Sequence, residues 1–314
     1  MRIRRAVIGI DFGAPSIAAA RWAVHHFIPE EDAELLLMHV LPVGEPAPET
    51  GADAAAMAAA RARALEQLRA LRATLGVARI RVAVRMGEPA VELAEAAYRS
   101  RADLLVVGKR SVRHGPWSRL GDTADRLAFV TSVPVLLVTG PRDVRPRRLL
   151  VALDGAADPS LLRWTSHLAE RFAARVTAIH VERTPARRIQ RSFAAIAAHA
   201  HEPAGEDAAI APWQEEGRWL GMLAAAGIDV GKTSVELRQG DPARQILAEA
   251  ERERSELIVI GHHGEAHLRH AVLGSVARAV LRGAKCPVLL VTDPLDEIVE
   301  SDERTNVAAA GPRE

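Results

Sequence analysis

Glu256-Leu-Ile-Val-Ile-Gly261-His-His-Gly264 reads as a short apolar strand running into a glycine-bounded loop. Asp103-Leu-Leu-Val-Val-Gly108, 153 positions earlier, reads the same way up to its glycine. Runs this short, continuous and rich in valine and isoleucine suit strands buried on both faces, as in a parallel sheet. On either side the correspondence keeps its register: Gly87-Glu-Pro-Ala90 matches Gly240-Asp-Pro-Ala243, and Pro134-Val-Leu-Leu-Val-Thr139 matches Pro287-Val-Leu-Leu-Val-Thr292. Earlier in each half, Arg5-Ala-Val-Ile-Gly-Ile-Asp11 matches Arg148-Leu-Leu-Val-Ala-Leu-Asp154, and Leu37-Met-His-Val40 matches Ala178-Ile-His-Val181. The unit is far longer than a solenoid repeat, so the chain is a tandem duplication of one whole domain.

Residues 1–142 form the first predicted domain, 146–293 the second, and 294–314 a tail expected to be disordered. In the first domain strands are predicted near 5–11, 33–40, 79–86, 103–108 and 133–139. Alanine-rich helices lie between them, near 16–27, 53–75, 89–100 and 120–130. The second domain copies the strands near 147–154, 175–181, 232–238, 256–261 and 286–292. This alternation predicts two open five-stranded parallel sheets of Rossmann-like α/β type with helices on both faces. Ligands of such sheets bind beyond the carboxyl ends of the strands. The last strands would expose apolar edges if each domain stood alone, so their antiparallel pairing in an internal pseudo-dimer is expected. Pairing between chains is equally open.

Composition narrows the function. The 314 residues carry 41 Lys+Arg against 40 Asp+Glu, a net charge of +1, and the two halves are similarly balanced. A dedicated nucleic-acid binder would carry a basic excess. No apolar run approaches the roughly 20 residues that span a bilayer. The amino terminus lacks the apolar core and cleavage site of a secretion signal, so a cytoplasmic protein is expected. The one cysteine, Cys286, excludes an internal disulfide framework and reads as a packing residue.

At the predicted strand ends of the second domain stand Asp154, Val181 and Gly261-His-His-Gly264, and after nine intervening residues come Gly274-Ser275, opening the last helix. Glycines let the backbone approach an anion, and a helix N-terminus supplies unpaired N–H donors and a positive dipole end. The Ser275 hydroxyl adds a donor, the Asp154 carboxylate can accept from ribose hydroxyls, and backbone groups at Val181 can serve an adenine edge. His262 and His263 are placed beside the phosphates or facing solvent. The spacing Gly261-x2-Gly264-x9-Gly274-Ser275, with Asp154, resembles the ATP-binding branch of the universal stress protein family, and the resemblance covers nearly the whole chain twice. It implies ATP or another adenine nucleotide held with Mg2+, pairing through the last strands, and a role in stress survival without a dedicated catalytic reaction. The candidate binding residues are Asp154, Val181, Gly261, His263, Gly264, Gly274 and Ser275, with no catalytic or metal-ligating set. The histidines at 262, 263, 267 and 270 lack the partners of a metal site.

The first domain departs from the motif. It reads Gly108-Lys-Arg-Ser111-x9-Gly121-Asp122, with Ser111 for the second glycine and Asp122 for the hydroxyl residue. Asp122 is expected to cap its helix and repel an anion, with Lys109, Arg110 and Arg113 offsetting part of that repulsion. One competent nucleotide site, in the second domain, is therefore expected beside a degenerate one with Asp11 as its vestigial aspartate. The leading function is an adenine-nucleotide-binding sensor or regulator read by an unidentified protein partner. The alternatives are a scaffold without nucleotide and a slow ATPase or nucleotide-modifying enzyme. The segment 182–217, longer than its counterpart, reads equally as a tolerated surface insertion or as an element that brings Trp213 and Trp219 on a helix near the adenine side, covering a ligand or docking a partner.

Overall fold

The computed structural model describes residues 3–28, 33–42, 51–77, 79–109, 120–139, 144–154, 158–182, 212–262 and 273–292. In chain order the elements are β1 (Arg5–Gly9), α1 (Ala14–Trp22), β2 (Glu34–Leu41), α2 (Gly51–Leu75), β3 (Ile80–Met86), α3 (Pro89–Arg99), β4 (Leu104–Gly108), α4 (Asp122–Val130) and β5 (Val135–Val138). They continue as β6 (Arg148–Leu153), α5 (Pro159–Phe172), β7 (Arg175–Glu182), α6 (Pro212–Ala225), β8 (Thr233–Gln239), α7 (Pro242–Arg252), β9 (Leu257–Gly261), α8 (Ser275–Gly283) and β10 (Val288–Val291). Every predicted strand is present, and α1 runs on as a π-helical turn over Ala23–Phe27. The tail from 294 lies outside the described residues.

Local chemistry starts these helices where the sequence places a proline after a carboxylate. Pro89, Pro159 and Pro242 occupy first-turn positions, where the missing N–H costs nothing. The preceding Glu88, Asp158 and Asp241 accept hydrogen bonds from backbone N–H groups of the first turn. Asp158 takes two, from Ser160 and Leu161 at 2.8 and 3.1 Å, so Asp158→Ala is expected to lower stability by about 1 kcal/mol in chemical denaturation.

The chain divides into two compact units, Met1–Arg145 with Ile260–Glu314, and Pro146–Val259. This division differs from the sequence repeat because the end of the second repeat packs with the first. In the first unit the strand order is β3-β2-β1-β4-β5-β10. The pairs β1–β2, β2–β3, β1–β4 and β4–β5 are parallel, with Ala6 facing both Leu35 and Leu104. The chain winds outward in opposite directions from β1 and β4, so a crevice opens beyond their carboxyl ends. In the second unit β6, β7 and β8 are parallel neighbours, with Leu153 opposite His180 and Val181 opposite Arg238.

The expected pairing of last strands is present: β10 lies antiparallel to β5, with Val288 opposite Leu137, Leu289 opposite Leu136 and Leu290 opposite Val135, all fully buried. Equivalent residues of the two repeats reach across it. Thr139 Oγ1 donates to the Cys286 carbonyl and Thr292 Oγ1 to that of Ser132, both at 3.0 Å. Lys109, 2% exposed, donates through Nζ to the Ala284 carbonyl, and its counterpart His262, 6% exposed, places Nε2 2.6 Å from the Ala128 carbonyl. Because a carbonyl only accepts, the His262 contact requires a proton on Nε2. Asp125 of α4 faces its own counterpart, Arg278 of α8, at 2.8 Å, with Arg282 at 3.0 Å.

In the second unit His167 on α5 packs near Trp164, and its Nε2 is buried with no hydrogen-bond partner among the described residues. Burial foremost, with the nearby Arg171 cation, holds its pKa below the usual histidine value. The depressed folded value means that folding favours the neutral ring. Its contribution is present above the unfolded pKa of roughly 6.5 and is lost as pH falls through the folded value. Denaturation curves between about pH 7 and pH 5 are expected to show this loss, and His167→Gln to flatten it.

Candidate functional site

Beyond the carboxyl ends of β1, β2 and β4 the first unit has a cleft of about 280 Å³. Its wall includes Asp11, Ser16, His39, Glu88, Asp122 and Arg126 over an apolar floor of Met38, Val40, Leu93 and Val107. Asp11 is held within its own turn: Oδ1 accepts from Ser16 Oγ at 2.5 Å and from the Gly13 N–H at 2.9 Å. Phe12, next in the chain, has φ near 60°, a left-handed conformation that is rare for an aromatic residue. Its ring rests 4.6 Å from that of His39, whose Nδ1 donates to the Ile10 carbonyl at 2.6 Å. The same device recurs in the second unit, where His180 Nδ1 lies 3.1 Å from the Leu153 carbonyl. These histidines tie the end of the second strand of each repeat to the chain leaving the first. Their signal was present in the matched Leu37-Met-His-Val40 and Ala178-Ile-His-Val181, without revealing a role.

Gly108 serves packing in this repeat. A Cβ there would stand 3.1 Å from the backbone of Pro15 and Ser16, so glycine lets α1 approach β4. At α4 the N-cap is Gly121, which makes no side-chain cap, and Asp122 is the first helical residue, exposed. The expected cap by Asp122 therefore moves one residue back, because the extended backbone falls at Gly121, with ψ of 151°. Asp122 still brings a carboxylate to the head of the helix and to the cleft wall. The Lys109 ammonium is buried and donates to the Ala284 carbonyl. Ser111, Arg110 and Arg113 lie outside the described residues.

The second-repeat candidates fall in both units. In one, Asp154 follows β6 directly and Val181 is the penultimate residue of β7. Ser160, in the Pro-Ser pair matching Pro15-Ser16, accepts from Arg163 at 2.9 Å, whereas Ser16 bonds to Asp11. Trp219 of α6 is buried with its ring 4.9 Å from His180, beside Val181, while Trp213 has no described side chain. In the other unit, Gly261 ends β9 and Gly274 is the N-cap of α8, its N–H donating to the His262 carbonyl at 3.0 Å. Ser275 opens the helix, exposed, and the first turn carries no acidic residue, whereas that of α4 carries Asp122 and Asp125. His262 corrects the expectation of a place beside the phosphates or in solvent, since its ring is buried against Ala128. His263 and Gly264 lie outside the described residues. Among the described residues no group of three His, Cys, Asp or Glu side chains could hold a metal ion, and no helix is long and apolar enough to cross a membrane.

Two successive α/β repeats with clefts or helix heads at their strand ends define a tandem protein of the open parallel-sheet class. The universal stress protein family matches residues 2–139 and again 146–292. The chain belongs to that family. A universal stress protein of Mycolicibacterium smegmatis (strain ATCC 700084 / mc(2)155) is 28% identical over 303 residues, 91% of this chain and 96% of the relative. Universal stress protein Rv2028c of Mycobacterium tuberculosis is 30% identical over 151 residues, 48% of this chain and 51% of the relative. The crystal structure of a universal stress protein from Archaeoglobus fulgidus covers 94% of this chain and 98% of its own, at a TM-score of 0.66 and 18% identity.

Proposed function

We propose that the protein is an adenine-nucleotide-binding sensor or regulator whose competent site belongs to the second repeat. The observation that carries this reading is the contrast between helix heads: α8 begins at Gly274-Ser275 with no acidic first turn, while α4 begins with Asp122. Unpaired N–H groups and the dipole of α8 suit a phosphate, and the Ser275 hydroxyl is a further donor. Gly261, His263 and Gly264 are assigned to the loop around that phosphate. Asp154 is assigned to the ribose hydroxyls and the Val181 backbone to the adenine edge. ATP is the leading ligand, with Mg2+ as the counter-ion of its phosphates. No described group is placed as a catalytic base, so hydrolysis is at most slow. Calorimetric titration of the intact chain with ATP·Mg2+ is expected to give saturable binding. A folded, nucleotide-free chain that binds none would overturn the reading and favour a scaffold acting through protein contacts alone.

A further inference from the structure

At three exposed positions the two repeats carry opposite chemistry. Met86 at the end of β3, and Val91 and Tyr98 on α3, are 42%, 49% and 62% exposed. The equivalent positions 153 residues later hold Gln239, Arg244 and Glu251, also exposed. Single exposed apolar residues are ordinary, but three that are apolar in one copy and polar in the other form a difference that water alone does not favour. We propose that α3 of the first repeat is a self-association face, on which a second copy of this chain docks with its own α3 antiparallel. Val91, Ala94 and Tyr98 stand at i, i+3 and i+7 and so share one side of the helix, while the buried Ala90, Leu93, Ala96 and Ala97 hold the other. A two-fold axis passing beside Ala94 sets Val91 of each copy against Tyr98 of the other, one patch serving both partners. Charge selects this occupant and this direction. Carboxylates of Glu88, Glu92 and Glu95 lie along the amino-terminal half, and the guanidiniums of Arg99 and Arg101 follow at the carboxyl end. Antiparallel packing brings the acidic half of each copy to the basic end of the other, where parallel packing would set like on like. The pairs Arg99–Glu95 at 2.5 Å and Arg85–Glu92 at 3.3 Å are partly exposed, so their exchange across the contact costs little. A helix of 11 residues is about 16 Å long, which keeps the contact below the roughly 1,200 Å² of stable complexes, so the association is weak. The inference does not depend on the nucleotide reading of the second repeat.

Tyr98 is the only tyrosine of the chain, so fluorotyrosine labelling of the intact protein gives a single fluorine resonance on this face. Dilution from about 1 mM to about 10 µM is expected to shift that resonance in step with a fall in mass measured by sedimentation equilibrium. Tyr98→Glu and Val91→Arg introduce the residues that the second repeat carries at the same exposed positions, so the fold is expected to accept them, with melting unchanged. Each is expected to weaken self-association by roughly tenfold or more. Ala94→Cys, beside the two-fold, is expected to cross-link two copies through a short bis-maleimide, Cys286 being buried, while Glu251→Cys on the matching face of the second repeat stays monomeric. A chain that remains monomeric at about 1 mM overturns the proposal and leaves the face to a different protein. A dimer that survives Tyr98→Glu and Val91→Arg, or that forms without moving the fluorine resonance, also overturns it by placing the association on another surface. So does cross-linking of Glu251→Cys as readily as Ala94→Cys.

Discussion

Gly274→Asp is expected to weaken ATP·Mg2+ binding several hundredfold while leaving the fold intact. Two like unit charges about 4 Å apart repel by roughly 4 kcal/mol at an effective dielectric of 20, which is a factor of several hundred in affinity. The substitution brings to α8 the kind of carboxylate that Asp122 brings to α4. Folding is spared for a specific reason: Gly274 is the N-cap of α8, with φ of −55° and ψ of 139°, a conformation open to any residue. Aspartate is also among the preferred N-cap residues, so the melting temperature is expected to hold or rise. Calorimetry and thermal melting on the same sample separate the two effects. Binding retained within a factor of ten would mean that the phosphates do not sit at the head of α8.

The second large effect concerns the pairing of β5 with β10. Asp125 and Arg278 occupy the same position in the two repeats, as do Lys109 and His262, and Phe129 and Arg282. Arg278 binds Asp125 and lies 4.9 Å over the Phe129 ring, while Arg282 joins the same carboxylate. Asp125→Arg would replace two attractions with two repulsions. A measurable loss of stability is expected, moderated because the arginines are partly exposed and screened. The swap Asp125→Arg with Arg278→Asp is expected to recover most of the loss, measured by a double-mutant cycle in urea. A double variant no more stable than the sum of its single effects would show the pair to be uncoupled. The Arg278 hydrogen bond, foremost, and Arg282 hold the Asp125 carboxyl below its usual pKa. Its stabilisation is therefore present above the unfolded value near 4 and is lost as pH falls through the lower folded one. Because like would meet like in a pairing of two identical repeats, these exchanges favour the pairing of unlike repeats seen within the chain.

The strands were legible because each is a short apolar run buried on both faces and written twice. Val135–Val138 and Val288–Val291 could even be matched as edges needing a partner. What lay beyond sequence was the use of the polar residues beside them. Lys109 next to arginines reads as a cation offsetting Asp122, and His262 next to His263 as a residue beside the phosphates or facing solvent. Both side chains are buried at the strand pairing, meeting carbonyls of the opposite repeat. Only their shared offset of 153 hinted that they play equivalent parts, and that offset carries no direction for a side chain. Gly108 shows the same limit: a glycine in a phosphate motif and a glycine needed for α1 to approach β4 are identical letters. Trp219 was placed near the adenine side by its position after β7, but its stacking on His180 depends on a fold that brings residues 180 and 219 together.

The two copies of one domain differ in the charge at the head of their last helix, and counting bound nucleotide tests that asymmetry. Equilibrium dialysis of the intact chain against saturating ATP·Mg2+ is predicted to give one nucleotide per chain. Two equivalent nucleotides per chain would rule the asymmetry out, because Asp122 would then be no obstacle to phosphate at the head of α4.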